Sequence, residues 1–189
     1  MELFRRIRIK TGMSLLEGKL KYLERKRAFP GLSSIRSVGI VWDASRTDDF
    51  PILTAFHQKM HEKNIEVKIL GYFPAKKLPD KYTAIRYLTC LKEKDIDFFY
   101  RPKSPEVALF INTRFDILID INFNKLFPLV YISSLSVASL KTGLTNDNPE
   151  KSPFDLMIDL KKNTGIENFL NQIMHYIGML SSRTVKTAI

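Results

Sequence analysis

Residues 37–71, SVGIVWDASRTDDFPILTAFHQKMHEKNIEVKILG, decide the fold. Residues 37–42 (SVGIVW) are a short apolar run rich in β-branched residues, which predicts a strand buried on both faces. Residues 43–49 (DASRTDD) form a polar loop. Residues 50–63 predict a helix: Ile52, Leu53, Phe56 and Met60 share one face, Pro51 suits the first turn, and Asp48 or Asp49 can cap it. Asn64 ends that helix, and residues 65–71 (IEVKILG) predict a second strand. Strand, loop, helix and strand within 35 residues make a βαβ unit, whose crossover is right-handed.

The alternation continues toward the C-terminus. Residues 115–121 (FDILIDI) predict a strand, 125–138 a helix with Pro128 in its first turn, and 139–144 (SLKTGL) a short strand. After a polar loop, 154–160 (FDLMIDL) predict another strand. Residues 164–180 then predict a helix burying Ile166, Phe169, Leu170, Ile173, Tyr176, Ile177 and Leu180. Residues 74–104 are ambiguous: a basic loop around Lys76 and Lys77, then 82–91, which suits strand or helix, then DFFY at 97–100 as a strand or turn. Residues 106–112 predict a short helix. Strands alternating with helices predict an α/β class: a three-layer Rossmann-like domain over 35–180 with a mainly parallel sheet, covered by helices 50–63, 125–138 and 165–180.

Outside that body the charge is uneven. Residues 1–36 hold ten of the thirty Lys and Arg against three acids, so seven of the ten net positive charges sit there. Residues 1–34 are expected as a basic N-terminal arm and helix. Met13, Leu16, Leu20 and Leu23 form a helical stripe, Ser14 and Glu17 have capping-box spacing, and Pro30-Gly31 is the stop. Residues 1–10 suit either an amphipathic helix or an extended segment, and 181–189 are expected as a flexible tail. Arg5, Arg6, Arg8, Lys10, Lys19, Lys21, Arg25, Lys26 and Arg27 would engage an anionic partner through residues 1–29: nucleic acid, an anionic membrane surface or an acidic protein. The same residues equally suit a helix packed on the domain with its cations in water. The apolar fraction of 44% with 26% charge is that of a folded soluble protein, and no run reaches the roughly 18–20 apolar residues of a membrane span. One cysteine, Cys90, and no signal-peptide pattern make a reducing compartment, the cytoplasm, the expectation.

FDILIDI and FDLMIDL are near copies starting 39 residues apart. Asp116 and Asp155 would sit at strand entrances, and Asp120 and Asp159 at the exits, the edge where open parallel sheets bind ligands. With Asp43, Ser45, Arg46 and Asp48 after the first strand, Asp120 and Asn122 make a candidate ligand set at that edge. The chemical signatures are thin. Neither a G-x-G-x-x-G nor a Walker A sequence occurs, which argues against dinucleotide or P-loop chemistry. His57 and His61 have i,i+4 spacing but lack the glutamate of a zinc helix. Lys141-Thr142-Gly143 lacks the companion motifs of penicillin-binding proteins, and Cys90 suits a small buried hydrophobe. Catalytic residues, metal ligands and cofactors are therefore expected to be none.

The stretches FFYRPKSPEV (98–107), 115–144, FDLMIDLK (154–161) and NQIMHYIGML (171–180) together resemble an uncharacterised bacterial family of unknown function. That resemblance covers most of the chain and implies an α/β fold, with no activity and no functional residues to carry over. Residues 115–121, the small-residue stretch 133–138 and Thr142-Gly143 also resemble, at fold level, the N-terminal half of heptosyltransferase-type glycosyltransferases. The chain is too short for the second nucleotide-binding domain of those enzymes, and residues 43–49 lack their glycine-aspartate turn. Function is thus left between three classes: a non-catalytic binding or adaptor domain using the cationic arm, binding or transfer of a sugar or nucleotide at the sheet's C-terminal edge, and a scaffold that dimerises through an edge strand or the N-terminal helix.

Overall fold

The structure is a computed structural model that describes residues 2–146, 148–160 and 165–186. Its strands among the described residues are β1 (Ser37–Asp43), β2 (Glu66–Tyr72), β3 (Leu88–Leu91), β4 (Ile117–Ile121), β5 (Leu140–Leu144) and β6 (Leu156–Ile158). They form one sheet in the order β3-β2-β1-β4-β5-β6. Every neighbouring pair is parallel. The strand order reverses between β1 and β4, so the crevice outside their C-terminal ends is the topological switch point of a Rossmann-like domain.

Alternation along the central strands builds two cores. Val38, Ile40 and Trp42 of β1 and Ile117, Ile119 and Ile121 of β4 face α2 (Phe50–His61) and α5 (Ile166–Lys186). Val41 and Leu118 face α3 (Pro105–Asn112) and α4 (Phe127–Leu135). Full burial of each such aliphatic side chain contributes about 2 kcal/mol. Trp42 anchors the first core, with Phe50 stacked at 6.0 Å and Tyr82 edge-on at 5.3 Å. Asn64, at φ 56°, takes the left-handed turn that ends α2's connection, as its place in the sequence predicts.

Several boundaries differ from expectation. Residues 82–91 are only partly strand, because Asp80–Tyr82 wind into a 3-10 turn that sends Tyr82 under Trp42. DFFY resolves as a turn, tied by Asp97 Oδ1, which accepts the backbone N–H groups of Phe99 and Arg101. Neither Asp48 nor Asp49 caps α2 through its side chain; Asp49 pairs with Arg46 instead. The α5 helix runs past residue 180 to Lys186, into the segment expected as a tail; residues 187–189 lie outside the described residues, as does Thr164 at the expected helix start.

The N-terminal helix departs most. The α1 helix spans Glu2–Leu20, so Ser14 and Glu17 lie in its interior and cap nothing. It packs on α4 through Leu16, which joins Phe127, Tyr131 and Leu135. Residues 21–36 return as a connector along the sheet's N-terminal edge, where the Ala28 N–H bonds the Ser139 carbonyl at 3.1 Å. The Arg25 guanidinium there is buried against the Asp155 carboxylate.

Candidate functional site

A cavity of about 590 Å³ opens at the C-terminal ends of β4 and β5. Its outer wall is α1 (Ile9, Met13, Leu16, Leu20), and its inner wall is α4 (Phe127, Val130) with Phe123. Leu144, Thr145 and Phe154 close it from the β5–β6 side. The polar floor is Asp120 with Ser133 and Ser134, and Glu17, Lys125 and Lys151 stand among the lining groups. The geometry follows from alternation: Ile119 and Ile121 point to the α2–α5 core, which sends Asp120 to the α4 side.

Asp120 is buried, 6% exposed, yet lines the cavity. One carboxyl oxygen accepts the Ser133 hydroxyl; the other accepts the Asn122 N–H at 2.8 Å. Burial pushes its pKa up to about 6, against the opposing pull of those two hydrogen bonds. The carboxyl is therefore poised between a neutral form that can donate and a charged form that only accepts. Behind it, Lys141 of β5 is also buried and donates to the Ser134 carbonyl at 2.7 Å. Burial, then repulsion from Arg25, brings its pKa down to about 7, with Asp155 opposing.

The six residues predicted for the sheet edge separate. Asp120 and Asn122 reach the cavity. The Asn122 amide is fully engaged there: it accepts the Leu126 N–H at 2.8 Å and donates to the Leu126 carbonyl at 3.0 Å, folding the turn into α4. Asp43, Ser45 and Arg46 form a different network at the switch point. Asp43 is fully buried and accepts Ser45 Oγ at 2.6 Å and Asn124 Nδ2 at 2.7 Å, so Asn124 bridges the crevice from the β4 side. Arg46 pairs with Asp49 at 2.7 Å and lies 5.4 Å from the Phe123 ring centre. Asp48 is exposed beside them.

The cationic residues of 1–29 also separate. Arg8 donates to the Phe98 carbonyl at 2.6 Å and lies over the rings of Phe98 and Tyr100. Arg25 is buried on Asp155, with exposed Arg27 3.5 Å from the same carboxylate. Lys19 reaches within 5.6 Å of the Tyr131 ring centre. Arg5, Arg6, Lys10, Lys21 and Lys26 are exposed.

Sequence reasoning missed Ser133, Ser134 and Lys141. The usable signal was the Ser133-Ser134 pair inside an otherwise apolar helix whose every turn has to face the sheet or α1. His57 and His61 stack at 6.2 Å on α2, and His175 lies on α5; both helices cover the opposite face of the sheet from the cavity. Ser133 therefore has no imidazole beside it, and its hydroxyl is donated to Asp120. Cys90 is half-buried with its thiol pushed up to about 12 by burial, the state of a packing residue rather than a nucleophile. Residues 10–180 match the model of a family of unknown function, DUF6913. No curated protein and no solved structure matches the chain.

Proposed function

We propose, for a chain that belongs to the DUF6913 family of unknown function, that the cavity under α1 binds a small, mostly apolar molecule. One hydroxyl or amine of that molecule would hydrogen-bond to Asp120. The observation that carries this is a buried, proton-poised carboxyl facing an apolar chamber of ordinary ligand size. Such a carboxyl is costly to keep, and packing alone would be served better by leucine or asparagine. The apolar walls weigh against a sugar or nucleotide, whose many polar groups would be left without partners.

The test is a fluorescence titration with N-phenyl-1-naphthylamine, an apolar probe with one N–H donor. The expected result is saturable binding at one site per chain. Leu144→Trp, which fills the cavity from β5, should weaken it at least about tenfold, with thermal melting as the fold control. At pH 7.5, 1-decanol should displace the probe better than decanoate, because a second carboxylate beside ionised Asp120 is repelled. Binding untouched by Leu144→Trp, or equal displacement by decanoate, would overturn the assignment.

A further inference from the structure

The outer face of α1 carries a pattern that the cavity does not use. At 3.6 residues per turn, positions 3, 4, 7, 11, 14, 15 and 18 fall on one stripe, opposite the side that holds Gly12 and Leu16. All seven are exposed. They read Leu3, Phe4, Ile7, Thr11, Ser14, Leu15 and Gly18, with no charge among them. Leu3, Phe4 and Ile7 are 74%, 70% and 55% exposed, which is unusual for large apolar groups placed together. Arg6 and Lys10, with Glu17 between them, line one flank of the stripe; Arg8 and Lys19 line the other.

An uncharged helix stripe that exposes large apolar side chains and is bordered mostly by cations has the form of a segment that lies in a membrane interface. We infer that α1 adsorbs to an anionic lipid surface, with Leu3, Phe4 and Ile7 entering the headgroup–acyl boundary and Arg6 and Lys10 meeting lipid phosphates. Charge decides the occupant. A second copy docking on the same face would bring two sets of cations together, and phosphate contacts to nucleic acid leave the exposed Leu3 and Ile7 side chains between them without a partner. The helix lies on the surface and does not cross it: among the described residues no helix is long and apolar enough to span a bilayer.

The experiment is co-sedimentation of the full chain with vesicles of phosphatidylcholine containing three parts in ten phosphatidylglycerol, against pure phosphatidylcholine. Binding is expected to the anionic vesicles and to weaken with salt. Arg6→Gln with Lys10→Gln should lower partitioning roughly thirtyfold, at about a factor of five per basic residue. Phe4→Ser with Ile7→Ser should lower it on the order of tenfold or more. All four side chains are exposed, so thermal melts should be unchanged. Phe4→Trp should gain fluorescence on vesicle addition and lose it to brominated lipid. Equal binding to both vesicle types would overturn the inference. So would loss in the cationic pair with none in the apolar pair, the mark of a general polyanion site, or concentration-dependent self-association abolished by the apolar pair.

Discussion

Asp120 shows how one residue type acquires different work from its strand. In the doubled motif, the first aspartate of each copy secures the start of a neighbouring strand. Asp116 accepts the Arg36 and Ser37 N–H groups ahead of and at the start of β1, and Asp155 accepts the Lys141 N–H of β5. The second aspartates diverge, because β4 is central and β6 is the edge: Asp120 is buried and Asp159 is exposed. Position in the motif was legible in the sequence; burial was not, since it depends on where α4 lies. The consequence is measurable. The folded-state pKa of about 6 exceeds the usual 3.8, so the native state holds more protons between those values and stability falls as pH rises from about 4 to about 6. The expected fall is about 3 kcal/mol and persists at higher pH. Asp120→Asn should abolish that slope and be more stable than the parent at pH 7, by urea denaturation across pH. Ser133→Ala removes a bond that favours the charged form, so the Asp120 carboxyl titration seen by NMR should move upward.

At the scale of elements, the buried strands were the most legible part, because short, largely apolar runs rich in β-branched residues, such as 37–42 and 115–121, carry their own signal. The α1 boundaries were not. Its inner stripe (Ile9, Met13, Leu16, Leu20) and outer stripe (Leu3, Phe4, Ile7, Leu15) lie on opposite sides and cancel as a periodic pattern, and the Ser14–Glu17 spacing imitates a start in mid-helix. The close fit of α1 to the body rests on Gly12. A β-carbon there would stand 2.3 Å from the Phe99 carbonyl oxygen and 2.6 Å from the Phe127 ring. The gain in helix propensity from replacing glycine, roughly 1 kcal/mol, is smaller than the cost of pushing α1 away from backbone. Gly12→Val should therefore destabilise the protein by roughly 1–3 kcal/mol in urea melts. It should also weaken N-phenyl-1-naphthylamine binding, since α1 is the cavity's outer wall.

Across the whole molecule, the charge imbalance of residues 1–36 suggested a segment standing apart. In the structure, Arg25 and Asp155, 130 residues apart in sequence, pair out of solvent and tie the connector to β6. A pairing of that span leaves no local mark, which is why Arg25 could not be told from its exposed neighbours Lys26 and Arg27. Asp155→Asn strands a buried guanidinium and should cost about 3 kcal/mol, more than Arg25→Met, which leaves Asp155 with Arg27 and the Lys141 N–H. Denaturation of the two single variants and the double checks that order, with the double variant recovering part of the loss.

The lateness of that anchorage has a further effect, on the ribosome. The α1 helix is made before the helix it packs on: Phe127, Tyr131 and Leu135, which receive Leu16, emerge more than a hundred residues later. At ordinary elongation speed that delay is on the order of ten seconds. During it both oily sides of the nascent helix meet water together, and whatever engages a growing chain first, chaperone or bilayer, finds this segment before the rest of the protein can claim it.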